Sequence, residues 1–302
     1  MKTLKHGIYQ SLLNKSDMKD ERSGYIQLVL YSILAGVVGV FIKLTQNLDA
    51  QSLVFFRAAI ATATIFAIVL FRNKLKDLLL ITPAKTVMVG IFQGLSIFLY
   101  INSLLHTTVS NAVFLLYTAP IFSVILAKLF LKEKIEKETL IGVFITLIGI
   151  ILILDPRTFS FDSTQTLGNV IALGSGFFYA AMALTAKPIM KKVSGFYMAF
   201  WQYLVISIMF LLFVNVKSAS VLLDNWWQLA IIGIICTGIP FILFMEGVRK
   251  VKAQKIFIVT ALEPLAGTAL ALFALGEIPS LFTIAGALLI LYGVYRTTQN
   301  KE

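Results

Sequence analysis

Two charged residues stand inside long apolar runs, and each needs a chemical reason to be there. Glu263 lies near the middle of the run 254–275, and Arg57 sits a little way into the run 52–71. Charge in hydrocarbon is costly, so such residues mark solute paths, proton relays or ion pairs. The Glu263 side chain is too short to reach an interface. It must be paired, hydrated in a cavity, or protonated. Pro264 follows it, and proline inside a helix removes a hydrogen bond and kinks the rod. Acid, kink and cavity together suit a proton- or substrate-coupled site. The structural alternative is a carboxyl bonded to the irregular backbone. Arg57 presents a planar fork that fits a carboxylate. Its alternatives are a structural ion pair or snorkelling toward headgroups.

Polar side chains without charge extend the set. Gln93, Asn102 and Asn111 offer hydrogen bonds to a polar solute, or between helices. Tyr117, Tyr179 and Trp201, with Tyr31, Tyr100 and Tyr203, supply aromatic faces for a cavity wall or for ordinary packing. Such faces attract an ammonium group. Trp226 and Trp227, beside Asp224, read as an interfacial belt. Glu246 stands beside Arg249 and Lys250, where interfacial neutralisation accounts for it. His6 and His106 are the only histidines and Cys236 the only cysteine, so neither metal-ligand spacing nor an internal disulfide exists. No catalytic cluster of His, Asp, Glu or Ser is visible. The expectation is a non-enzyme without a cofactor or metal.

The elements that position these residues follow from composition. The chain is 58% hydrophobic and 14% charged, well below the quarter or so of charged residues usual in soluble domains. A helix needs roughly 20 apolar residues to cross the hydrocarbon. Unbroken rather than alternating apolar runs favour helices over a β-barrel. Spans are expected at 25–45, 52–71, 84–105, 109–131, 138–154, 167–187, 195–215, 225–247, 254–275 and 279–296. With both termini in the cytoplasm, all the Lys and Arg except Lys43, Arg57, Arg157 and Lys217 fall in cytoplasmic segments. That placement explains the net charge of +11 by topology and speaks against nucleic-acid binding. Residues 1–23 are polar and basic, with Leu4, Ile8 and Leu12 at helical spacing. They read as a surface helix or a mobile tail rather than a cleaved signal.

Sliding the sequence on itself by 144 residues pairs Lys43 with Lys187, Gly94 with Gly238 and Pro120 with Pro264. It also pairs Glu133 with Glu277, Gly142 with Gly286 and Gly149 with Gly293, without a gap. Five spans per copy is an odd number, so the second copy enters from the opposite side. The expected organisation is a tail (1–23), a first five-helix repeat (24–154), an extracytoplasmic linker (155–166), a second repeat (167–296) and a tail (297–302). Inverted repeats build a central site opened alternately to each side. Kinked helices at matched positions, here Pro120 and Pro264, point to it. Glu133 and Glu277 end spans as caps or ion-pair partners. The small residues Gly142, Gly149, Gly286 and Gly293 make a close packing face, joining either the two halves or two protomers.

Phe55-Phe56-Arg57, Pro120 with Leu131-Lys132-Glu133-Lys134, Glu263-Pro264 and Leu275-Gly276-Glu277 resemble the EamA-type ten-helix proteins of the drug/metabolite transporter superfamily. The resemblance covers about residues 25–296. It implies an all-α membrane protein of ten transmembrane helices in two inverted repeats. It further implies that spans one to four and six to nine surround the cavity. The implied function is gradient-driven export of small polar metabolites such as amino acids, from the inner membrane. Protons are the candidate coupling ion, and a homodimer is a possible assembly. The alternatives are an importer of a metabolite or nucleotide derivative, a channel, or a non-transporting adaptor.

Overall fold

The structure, a computed structural model, describes residues 20–159, 162–214, 223–275 and 278–299. The Leu4–Ile8–Leu12 stripe, Lys217 and Glu277 lie outside these. Among the described residues every regular element is helical. The first half holds α1 (Asp20–Ile42, interrupted at Val37), α2 (Ala50–Phe71), α3 (Pro83–Ser103), α4 (Val109–Leu116), α5 (Ala119–Phe130) and α6 (Lys137–Ile153). The second half holds α7 (Thr166–Ile189), α8 (Gly195–Leu211), α9 (Trp226–Lys250), α10 (Ala253–Thr260), α11 (Glu263–Leu275) and α12 (Leu281–Thr298). Seven stretches, among them Asn111–Phe130 and Trp226–Lys250, are long and apolar enough to cross a membrane. Helix starts carry polar caps. Asp49, Thr108, Ser194 and Ser280 accept from backbone N–H groups of α2, α4, α8 and α12.

The prolines act more strongly than kinks. The expected continuous spans 109–131 and 254–275 each break, at residues 117–118 and 261–262. A new helix then starts at Ala119 and at Glu263, with Pro120 and Pro264 second. Proline has no N–H to return to the preceding turn, and its ring crowds the carbonyl there. The first turn of a fresh helix needs no such donor, so proline is accommodated there. The breaks keep the repeat register: α4 begins at 109 and α10 at 253, α5 at 119 and α11 at 263. One departure from the repeat falls at a special backbone position. Lys132 has φ 55°, the left-handed region that favours glycine, and its mate in the sequence is Gly276.

Packing shows how the halves relate. Gly142 meets Thr297, Thr146 meets Gly293, and Gly149 meets Ile290. Position rises along α6 as it falls along α12, so these repeat mates run antiparallel. Residues 146 and 149 are the mates of 290 and 293, so each contact has a twin, as two-fold symmetry requires. The glycine face therefore joins the two halves of one chain, which the sequence had left open. A Cβ on Gly149 would lie 2.7 Å from Ile290 Cγ1 and 2.8 Å from the Gly286 carbonyl oxygen. The other helices exchange partners between halves: α3 lies along α7 and α8, and α2 along α8 and α9.

The two ends differ in chemistry. At one end Arg72 lies 4.9 Å over the Phe196 ring, Lys250 pairs with Asp20 at 3.8 Å, and Arg296 Nε donates to Glu138 at 2.9 Å. Glu246 there accepts from Gly195 N at 2.7 Å and pairs with Arg249 at 2.7 Å, so it caps α8 as well as neutralising a neighbour. Burial pushes the Glu136 carboxylate up, but hydrogen bonds from Lys252 and Lys255 outweigh it and hold the group below its ordinary range. At the far end Asn225 bridges both backbone groups of Gln46 at 2.9 Å, and Thr107 donates to Asn169 at 2.6 Å. Among the described Lys and Arg, only Lys43, Arg57 and Arg157 belong to segments away from the basic end.

The α6–α12 contact yields a first prediction. Gly149→Val should lower thermal stability in detergent by about 1–3 kcal/mol, the usual cost of overpacking. A melting curve that matches the parent protein would show that the two helices do not depend on this close approach.

Candidate functional site

The site begins with the broken helices. α4 and α10 end, and α5 and α11 begin, in mid-bundle. A fresh helix start leaves backbone N–H groups without intrahelical partners and carries partial positive charge. Glu263 is the first residue of α11, so its carboxylate sits in that field. Gly36 lets α1 pass against the Glu263 backbone carbonyl, where any Cβ would collide. Tyr31, one helical turn earlier on α1, shares a 2.9 Å hydrogen bond with Tyr179 of α7.

Around the acid, the hydroxyls of Tyr31 and Tyr117 and the guanidinium of Arg57 are the polar neighbours. None of them closes a hydrogen bond onto Glu263 Oε1, which is buried and without a partner. Arg57 is held off by Thr237, whose Oγ1 accepts from Nε at 2.7 Å. Thr237 in turn donates to the Ile232 carbonyl at 2.7 Å, five residues back, within the π-helical turn of α9. Arg57 also lies beside the Tyr203 hydroxyl, which is itself buried without a hydrogen bond. Arg57, Tyr100, Tyr117 and Glu263 all keep partial exposure although they lie deep among the helices. Their partial exposure marks space beside them that side chains do not fill.

Aromatic rings floor that space on its basic side. Tyr31 packs edge-on to Phe241 at 5.3 Å, and Tyr179 packs on Phe257 at 4.7 Å. Beyond them every residue of α10 is buried. Ser123 of α5 donates to the Ala253 carbonyl of α10 at 2.6 Å, tying the two helices together. The repeat-related pair at the far end, α11 and α4, makes little contact among the described residues, and Val113–Leu116 of α4 remain half-exposed. Among the described residues the α5–α10 end is closely packed and the α4–α11 end is not.

The polar cluster breaks the repeat that builds the backbone. Glu263, Tyr117, Tyr179 and Tyr203 align with Ala119, Ala261, Ala35 and Ala59. Arg57 aligns with Trp201, and Tyr31 with Ser175. Near a two-fold axis a bulky residue and its mate compete for one place, so a small mate leaves room. A single asymmetric centre results from two similar halves.

The EamA-like transporter family profile matches twice, at residues 22–155 and 166–299, with both ends displaced by 144. The chain belongs to the EamA-like transporter family. An "Uncharacterized transporter" of Archaeoglobus fulgidus is 30% identical over 279 residues, covering 90% of this chain and 95% of that protein. "Uncharacterized transporter YxxF" of Bacillus subtilis is 26% identical over 294 residues, covering 94% and 92%. A protein solved by crystallography shares the fold with a TM-score of 0.76 at 18% identity, covering 92% of this chain and 96% of its own. This EamA protein is thus a multi-pass membrane transporter built from two related halves.

Of the residues singled out by sequence, Glu263, Arg57, Tyr117 and Tyr179 come together here. Pro120 and Pro264 stand at the two helix restarts beside them. Gln93 is buried with Oε1 unpartnered and is the repeat mate of Thr237. The other three are engaged elsewhere. Trp201 donates to the Leu78 carbonyl at 3.0 Å and holds the loop after α2. Asn102 donates to its own helix, at the Phe98 carbonyl, at 2.8 Å. Asn111 donates to Asn169 at 3.1 Å, at the far end. Thr237 and Gln202 escaped sequence reasoning. Gln202 is fully buried with both amide atoms unpartnered, and a glutamine amid apolar residues was its only signal.

An interior carboxylate oxygen without a partner is costly to the fold. Glu263→Gln should therefore melt no lower than the parent protein in detergent, and up to about 1 kcal/mol higher, as removal of a strained functional group does. A clearly lower melting temperature would mean that the ionised carboxylate holds the fold together.

Proposed function

We propose that this EamA protein is a gradient-driven transporter that exports small polar metabolites, amino acids among them, across the cytoplasmic membrane by alternating access. The observation that carries the reading is the incomplete site at Glu263. A buried acid faces Arg57 and two tyrosines across an internal space, and its Oε1 awaits a partner. A proton or a solute ammonium supplies that partner, and Arg57 matches a solute carboxylate. Tyrosine faces favour a cation between them.

The basic end is taken as cytoplasmic, since Lys and Arg concentrate there. On that assignment ten spans cross the membrane, both termini are cytoplasmic, and the present conformation faces outward. The sealed α5–α10 contact argues against an open channel. Rocking of one half against the other moves the seal from end to end.

The test compares metabolites in cells and medium for strains with the protein overproduced, absent, or carrying Glu263→Gln. A solute released only with the intact protein supports export and names the substrate for reconstitution. With that solute, Glu263→Gln should abolish transport or its pH dependence while membrane expression persists. Arg57→Ala should raise the apparent KM about tenfold or more, the scale of a lost charge-assisted contact. Normal transport with normal pH dependence in Glu263→Gln would sink the role given to this acid. Accumulation inside the cell would reverse the direction.

A further inference from the structure

The sealed end is fastened at one corner, the short turn between α9 and α10. Glu133, from the loop after α5, accepts from Ala253 N at 3.1 Å through Oε1 and from Gln254 Nε2 at 3.3 Å through Oε2. It therefore caps the start of α10 from the opposite half of the chain. Gln254 locks the same loop from the other direction. It donates to the Lys134 carbonyl at 2.9 Å and accepts from Glu136 N at 3.1 Å. Lys187 of α7 clasps the other side of the corner. Its Nζ donates to the Val248 carbonyl at 2.9 Å and to the Val251 carbonyl. Lys255, 2% exposed, pairs with Glu136 at 2.8 Å.

The chemistry is matched at both helix ends. A helix start offers unpaired N–H groups and positive field, which an acid satisfies. A helix end offers carbonyls, which a lysine satisfies. None of these groups touches Glu263, so the fastening and the site are separate. Glu133 and Lys187 also have like residues at their repeat mates, Glu277 and Lys43, whereas the site residues do not. The residue types of the fastening recur at the same register in both halves of the sequence, whereas those of the site occur once.

We propose that Glu133, together with Lys187, is the latch of the basic-end gate, holding α10 against α5 while the site faces the far end. Release of the latch is what lets the site open to the basic side. Glu133 is a positioning residue, acting through α10 and not on the solute. The proposal rests on the transporter reading, but its test needs no solute, so the two can fail separately.

The test follows accessibility to a membrane-impermeant maleimide in oriented vesicles of the full chain, with Cys236→Ala as background. One reporter is Val259→Cys, buried in α10 and probed from the basic side. The other is Val113→Cys, half-exposed in α4 and probed from the far side. Glu133→Ala should raise the labelling rate at 259 about tenfold, the usual scale of a lost helix cap, and lower it at 113. Lys187→Met should move both reporters the same way, and Glu133→Gln should move them less. Unchanged rates at both reporters would overturn the latch. So would a rise at both, which signifies loosened packing rather than a gate changing sides.

Discussion

A helix that stops halfway across the bundle, once in each half, is the constraint on which the rest depends. Pro120 and Pro264 cannot donate into the preceding turn, so α4 and α10 end before them. Unpaired backbone groups are tolerated at membrane depth only where they are buried in protein or line a cavity. The breaks consequently gather at the centre, with α1 and α7 beside them. Glu263 follows from this placement. The start of α11 supplies a field that favours a carboxylate, where continuous helix in hydrocarbon would reject it.

Symmetry and its violation divide the labour. The backbone repeats closely enough that contacts across α6 and α12 come as twins. The proposed alternating access draws on this repetition, because a contact made between α5 and α10 is allowed in kind between α11 and α4. The present arrangement seals the basic end. The chemistry at the centre does not repeat. Glu263, Tyr179 and Tyr203 of the second half and Tyr117 of the first each have alanine as repeat mate, so this chemistry is present once and not twice.

Much of this was legible in the sequence because bilayer physics writes in long, simple signals. Apolar length marked the helices, and matched Pro, Gly, Glu and Lys in one register marked the repeat. Glu263 and Arg57 stood out because ionised groups are rare in such runs. The polar uncharged residues were less legible. Asn102, Asn111 and Trp201 look like solute contacts by type, yet each satisfies a backbone or side-chain partner of its own. Thr237 looks ordinary in sequence and holds Arg57. Hydrogen-bond satisfaction depends on who faces whom, which residue type alone does not reveal.

Sequence by itself determined that this chain is helical, doubled and membrane-borne, because hydrophobic length and repeat register are properties of the string. It also determined which ionisable residues had to be accounted for. Only the tertiary structure decided that the glycine face joins the halves, that prolines break rather than kink their helices, and that Glu263 lies beside Tyr31 and Tyr117 with its Oε1 unpartnered. It alone decided which end is sealed. The two halves carry nearly the same instructions, so the asymmetry between ends lies in how they are packed, and packing is a relation between distant residues.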